Sequence, residues 1–313
     1  MLNQLETPRE KREYPMAKFI IQPHGRLQEW IADANGYFRD AGLDYEFVRG
    51  PSADTRKRVD AAGKVTDLLS GAFESYEKGG GNKGEGVKSD ISCACHWAVS
   101  RASAQHVGTM WGKSYVVTPG GIMVPPESPI TTPEQLAGRE IAVGYHSGSH
   151  FTTVQSLEPI LPKDQIKLRF GGSVWARVDI AVGRDLPAVS AWGLTFQFLE
   201  QLGFRKVVDT SFMIAFMFPA GVVASDVEKY MSGLHRAQTE LDIAPEKYRH
   251  FYRNEIPDRY KAMVDVRRFS PGERIVFQPY TAEMYARTQT WIEERGLFDG
   301  PQPTVDYAAS VAA

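Results

Sequence analysis

The sequence predicts an α/β fold built of two lobes. Three observations carry that prediction. Short apolar runs alternate with amphipathic stretches along most of the chain, the pattern of strands laid between covering helices. The length, 313 residues, suits one large domain or two lobes of about 100–150 residues each. Hydrophobic residues make up 42% and charged residues 24%, enough apolar surface for a sizeable core.

The elements follow in order. Residues 1–16 read as a polar arm. KFIIQ, Lys18–Gln22, is a short apolar strand. In Leu27–Ala41 the apolar residues Leu27, Trp30, Ile31, Ala34 and Phe38 recur at helical spacing, and Gly42 stands where a helix ends in a left-handed glycine. Leu43–Val48 alternates as a second strand, and Arg56–Ser70 reads as a helix. EKGGGNKGEGV, Glu77–Val87, is too rich in glycine to hold a rigid element and is expected to be a flexible loop or lid. Strands are then expected at 90–92, 121–124, 140–144, 166–170, 187–191 and 206–208. Helices are expected at 96–105, 149–160, 175–182 and 194–202, with a capped turn over 128–136. Beyond Phe218 the pattern turns helical, over 226–256 and again over 281–295. Strands alternating with helices imply mostly parallel sheets covered on both faces.

The formal net charge is −2, which gives no reason to expect nucleic acid or an anionic membrane as partner. No apolar run reaches the roughly 18 residues that a spanning helix needs, so no membrane insertion is expected. Glu6, Arg9, Glu10, Lys11, Arg12 and Glu13 occupy the place of a signal peptide's apolar stretch. As written, the chain is expected in the cytoplasm, or in the periplasm if a leader upstream has been removed. Its two cysteines, Cys93 and Cys95, are spaced C-x-C, too close for a relaxed disulfide, and are expected to be free thiols.

Several stretches together resemble a known family. WIADANGYFRDAGLDYEFV, GIMVPPESPITTPEQLAGREIAVG, PAVSAWGLTFQFLEQLGFRKVVD and YARTQTWIEERGLF are similar, in order and spacing, to type II periplasmic-binding-protein-like chains. These are the solute-binding proteins of nitrate, sulfonate and taurine ABC transporters and the thiamine-pyrimidine-synthase-like group. The resemblance covers roughly residues 18–300. It implies one lobe from 17–120 and 220–313, a second from 121–219, and a ligand cleft between them. The same fold carries a hydroxybiphenyl sulfinate desulfinase that uses a cysteine after its first strand. Pro23 stands at the matching position here, so that activity does not transfer.

On this fold the loops that face the cleft would carry His24, Arg26, Cys93, Cys95, His96, Tyr145, His146, Ser147, Ser149, His150, Gly172 and Trp192. A helix N-terminus lowers a thiol's pKa, and an imidazole near neutrality moves protons. Cys95, His96, Cys93 and His24 are therefore the catalytic candidates, with one of the two cysteines, Cys95 by preference, facing the cleft. Arg26, Tyr145, His146, Ser147, Ser149, His150, Gly172 and Trp192 are the ligand-binding candidates. Each has a plainer reading: small buried cysteines, an anion-binding helix cap in YHSGSH, a packing tryptophan, a solvated arginine. Cys-x-Cys-His lacks the C-x₂-C spacing of metal sites, and GGGNKGEG lacks the order of a phosphate loop, so neither metal nor cofactor is expected.

Two functions follow. The first is a cytoplasmic enzyme that closes on a small organic anion (aromatic, carboxylate or sulfonate) and uses Cys/His chemistry of the lyase, decarboxylase or hydrolase type. The second is the substrate-binding component of a nitrate-, sulfonate- or taurine-type ABC importer, with a permease as partner only if the chain is exported. A homodimer is left open.

Overall fold

The computed structural model describes residues 18–47, 89–298 and 306–312. The expected arm at 1–16, the helix at 56–70 and the glycine-rich loop at 77–87 lie outside these residues.

Thirteen strands are present among the described residues: β1 Phe19–Ile21, β2 Tyr45–Phe47, β3 Ser92–Cys95, β4 Thr109–Trp111, β5 Tyr115–Thr118, β6 Gly120–Val124, β7 Glu140–Val143, β8 Lys167–Phe170, β9 Ala188–Trp192, β10 Arg205–Asp209, β11 Phe212–Phe218, β12 Arg274–Val276 and β13 Val311–Ala312. The helices are α1 Leu27–Ala34, α2 Tyr37–Asp40, α3 His96–Ala104, α4 Gly148–Leu157, α5 Val174–Gly183, α6 Gly193–Gln201, α7 Ala224–Ile243, α8 Ala282–Arg295 and α9 Tyr307–Ser310.

The strands form two main sheets, which gives the molecule its two lobes. One sheet has five strands in the order β10-β6-β9-β7-β8. The other has six, with β12-β5-β11-β4-β13 in a row and β3 also paired to β11. β1 and β2 pair in parallel, and a bridge from Ile21 to Ile91 ties them to the approach to β3. The chain passes between the main sheets at Pro119, between β5 and β6, and at Thr210–Ser211, between β10 and β11.

These passages correct the expectation of mostly parallel sheets. β7 runs parallel to β8 and β9, but β6 is antiparallel to β9 and β10, and β11 is antiparallel to β3, β4 and β5. No helix intervenes at either passage, so the strand-helix-strand crossover that enforces parallel pairing is absent there.

Two expected helices are shorter than their apolar spacing suggests. The first breaks at Asn35–Gly36, where Gly36 takes φ +75°. Gly42, φ +74°, then follows α2 as the left-handed terminator expected of it. The long helix after Phe218 stops at Ile243, because Pro245 supplies no amide hydrogen, and short 3-10 turns replace it through Asn254. The turn at Thr132 forms as expected: the Thr132 and Gln135 side chains cap each other's backbone at the start of Pro133–Leu136.

One apolar core runs through both sheets. It joins Phe216, Leu234 and Tyr285 on the six-stranded side to Ala142, Phe151 and Val189 on the five-stranded side. A smaller cluster, including Ile122, Ile141, Val143 and Leu157, packs separately against the five-stranded sheet. The lobes are further clamped at their surfaces. Arg259 holds Asp179 through both carboxylate oxygens at 3.0 and 3.1 Å, and Arg295 holds Glu158 at 2.8 to 3.0 Å.

Candidate functional site

β7, β8 and β9 are parallel, so their carboxyl ends share one edge, the place where open α/β sheets bind ligands. Gly144 follows β7, Gly171 and Gly172 follow β8, and Trp192 closes β9. Helices α4 and α5 start at that edge and direct free backbone N–H groups towards it. Ser173 caps α5 by accepting from the Ala176 amide.

Arg177, on the first turn of α5, lies beneath this edge and is only 3% exposed. Its Nε donates to Ser190 O and its Nη1 to Gly172 O, both at 2.9 Å. No carboxylate lies within ion-pair distance of it among the described residues, and burial alone pulls its pKa down to about 10. A buried guanidinium held only by carbonyl dipoles is an uncompensated positive charge. The backbone loop passes close over it. A Cβ on Gly144 would stand 3.0 Å from Arg177 Nη1 and 3.1 Å from Ser147 Oγ.

The loop Tyr145–His150 covers the same edge. Ser149 Oγ accepts from Gly144 N at 2.9 Å and lies 2.9 Å from Ser147 Oγ, which donates to Gly144 O. His146 takes φ +49°, a left-handed conformation rare for a residue with a side chain. That turn aims its amide at His150 Nδ1, 3.2 Å away. His150 is therefore an acceptor at Nδ1. Burial, with His146 beside it, lowers its pKa to about 4. Tyr145 packs on both His150 and Phe170.

The six-stranded side presents the β1–α1 loop. His24 stacks on Trp192 with ring centroids 5.6 Å apart and planes 17° apart. His24 Nδ1 donates to Glu273 Oε2 at 3.1 Å, and both side chains are nearly enclosed. Thr118 Oγ1 donates to the other oxygen of Glu273 at 3.3 Å. Burial pushes the Glu273 carboxyl up, but His24 and Arg26 outweigh it and hold its pKa below the ordinary value.

Arg26 was expected to meet a ligand, but it sits inside the protein. It is 1% exposed and paired with Glu29, with Nε at 2.9 Å from that carboxylate. Tyr230 donates to the same carboxylate at 3.0 Å, and Phe216 packs under the guanidinium. Its charge is thus already balanced.

The cysteines share this interior. Cys93 and Cys95 stand two residues apart in β3 and both are buried, where the expectation was one of them in an extended cleft loop. Residues at that spacing share one face of a regular strand. Arg26 Nη2 donates to Cys93 Sγ at 3.4 Å, yet burial wins and pushes that thiol up to about 12. His96 opens α3, donates from Nδ1 to Met213 O at 2.9 Å, and is pushed by burial down to about 4. Burial therefore keeps the Cys93 thiol protonated and not an activated thiolate.

Aromatic contacts join the separate parts. Trp192 meets Phe212, Phe212 meets Trp97, and Trp97 meets Phe151, which packs on His146 and His150. The structure therefore brings His24, Trp192, Tyr145, His146, Ser147, Ser149, His150 and Gly172 along one seam between the sheets. It leaves Arg26, Cys93, Cys95 and His96 in the interior beside that seam. Arg177 and Glu273 were not foreseen. Arg177 occupies a buried helix face beside Trp175 and Val178, and Glu273 reaches His24 across 249 residues of sequence.

No protein-family profile and no curated protein matches the chain. Solved structures do. The alkanesulfonate-binding protein SsuA from Xanthomonas axonopodis pv. citri, bound to MOPS, is 16% identical, with a TM-score of 0.62 over 94% of this chain and 97% of that one. The Candida albicans CA3427 gene product, described as having the generic periplasmic-binding-protein fold, is 14% identical, with a TM-score of 0.60 over 96% of each chain. The desulfurization enzyme DSZB is 15% identical, with a TM-score of 0.55 over 91% of this chain and 94% of that one. At these identities the likeness is one of fold.

Proposed function

We propose that this chain, which has the type II periplasmic-binding-protein fold, binds a small organic anion between its lobes, against the carboxyl ends of β7, β8 and β9. One observation carries the reading. Arg177 is a buried, uncompensated positive charge at that edge, beneath the loop of Ser147 and Ser149. A ligand carboxylate or sulfonate supplies the missing negative charge. The hydroxyls and the helix N-termini supply further donors. Trp192, Tyr145 and Phe212 give an organic body an aromatic wall to pack against. The names of two fold neighbours favour sulfur-bearing ligands, since one is an alkanesulfonate-binding protein and the other a desulfurization enzyme.

Binding is favoured over thiolate catalysis by the state of the cysteines, which are buried and, at Cys93, held protonated. In an exported setting the partner is an ABC permease. In the cytoplasm the same cleft serves a small-molecule enzyme or a sensor. Among the described residues no helix is long and apolar enough to cross a membrane.

The test is a fluorescence titration with benzenesulfonate, methanesulfonate and benzoate, since Trp192 borders the site. The reading predicts saturable quenching by at least one of them, with a weaker response for the aliphatic ligand. A strictly linear, non-saturating response to all three up to millimolar concentration would contradict it.

A further inference from the structure

We propose that Tyr260 and Arg259 are positioning residues for the anion site: through Asp179 they seat helix α5, and so hold the Arg177 guanidinium in place at the ends of β8 and β9. The inference rests on the anion site proposed above. Between α7 and β12 the chain crosses to the helices of the five-stranded side and bonds to both α5 and α6. Gln201 of α6 accepts from the Asp265 amide at 3.1 Å and donates to the Asp265 carbonyl at 3.0 Å. Gln197, one turn earlier, accepts from the Ser270 amide at 2.6 Å. Tyr260 lies against both helices. Its ring stacks on Trp175 of α5, with 5.8 Å between centroids and 25° between planes, and stands 5.1 Å from Phe198 of α6. The phenol is buried and donates to Asp179 Oδ1. Arg259 donates to the same carboxylate, from Nε at 3.2 Å and from Nη2 at 3.1 and 3.0 Å.

Trp175 and Asp179 are one turn apart on α5 and share a face, and the crossing segment takes that face. Arg177 falls between them in sequence and turns to the sheet, where Nε and Nη1 donate to Ser190 O and Gly172 O, both at 2.9 Å. Its Nη2 has no partner among the described residues and is the donor left for a ligand. A carboxylate or sulfonate needs that donor placed to within about 0.5 Å. Two carbonyls hold the guanidinium end, and the Tyr260–Arg259–Asp179 contact holds the helix that carries it. The anchor of the anion is thereby tied to a contact between the lobes. Charge alone predicts the opposite effect of losing that contact. Taking the negative charge from Asp179 leaves its surroundings more positive and would tighten an anion, whereas loss of positioning weakens it.

The experiment is a double-mutant cycle read by calorimetry of benzenesulfonate binding, paired with NMR of the Arg177 Nε–H in the ligand-free protein. Asp179→Asn and Tyr260→Phe should each weaken binding by at least about threefold. In an Arg177→Gln background neither should cost anything further, because the group they position is gone. A control at the exposed pair of Asp40 and Arg236, Asp40→Asn, should bind as wild type. Solvent exchange of the Arg177 Nε–H should be faster in Asp179→Asn and Tyr260→Phe than in wild type and in the control. Binding by Asp179→Asn as tight as wild type or tighter, the same fold loss with and without Arg177, or an unchanged Nε–H exchange rate would each overturn the proposal. If benzenesulfonate and the other anions fail to bind wild type, the anion reading falls, and the Nε–H exchange alone decides whether the contact holds Arg177. If Asp179→Asn does not fold, Tyr260→Phe, which keeps the ring and the Arg259 pair, carries the same cycle.

Discussion

His24 and Trp192 lie face to face, 5.6 Å between ring centroids, although one follows the first strand and the other ends a strand of the opposite sheet. The contact places the His24 ring directly on the carboxyl end of β9, at the edge where the anion site is proposed.

Cys93 should behave as a structural thiol. Its pKa is pushed up to about 12 by burial, so at pH 8 it is almost wholly protonated. Alkylation by iodoacetamide should be slow in the native protein and fast in urea. Cys93→Ser should leave anion binding within about threefold of wild type, since the side chain lies inside rather than on the seam. Rapid native alkylation at Cys93 would show that the thiol is accessible.

Acidification should destabilise the fold before ordinary carboxylates titrate. His96 and His150 are each lowered from 6.5 to about 4 by burial. Between those values the unfolded rings accept protons that the folded rings refuse. Stability is therefore unaffected above about pH 6.5 and falls as pH drops towards 4. The loss is up to about 3 kcal/mol for each ring at roughly 1.4 kcal/mol per unit. Urea unfolding at pH 7 and pH 4.5 should show it, and His96→Gln should shrink the difference. Equal midpoints at the two pH values would count against neutral, buried imidazoles.

The surface clamps should control opening more than folding. Asp179 with Arg259, and Glu158 with Arg295, each join the two lobes, and all four side chains keep some contact with water. Exposed pairs of this kind contribute up to about 1 kcal/mol each and weaken with salt. The double variant Asp179→Asn, Glu158→Gln should raise the radius of gyration in solution scattering while lowering the melting temperature by only a few degrees. An unchanged radius would mean that the aromatic seam alone sets closure.

Gly148 should not tolerate a methyl group. A Cβ there would stand 2.3 Å from the Phe212 ring, which opens β11 of the six-stranded sheet. Gly148→Ala must displace either α4 or Phe212, at a cost of about 1–3 kcal/mol. Thermal unfolding checks this, and a melting temperature equal to wild type would show that the seam has slack.

Much of the five-stranded sheet was legible in the sequence, because β8 and β9 sit between helices and β7 and β10 each adjoin one. The six-stranded sheet was less so. Phe212–Phe218 is apolar throughout, the mark of a strand buried on both faces, and its partners are distant in sequence. Strands Thr109–Trp111 and Tyr115–Thr118 are too short to show a period. The candidate loops of the site were found by laying the strand order on the fold that the sequence resembles. Glu273 and Arg177 were not, because their importance comes from burial and from partners that only the folded chain supplies. The crowding of Cys93, Cys95 and His96 was visible, but its meaning depended on solvent access, which the sequence does not encode.

The most direct measurement is the calorimetric affinity of benzenesulfonate for wild type, Arg177→Lys and Arg177→Gln, each with its melting temperature. The account predicts that Arg177→Gln loses at least about tenfold, or 1.4 kcal/mol. Arg177→Lys, which keeps the charge but not the forked donors to Ser190 and Gly172, should fall between the two. Equal affinities in all three folded proteins would contradict Arg177 as the anchor of the anion.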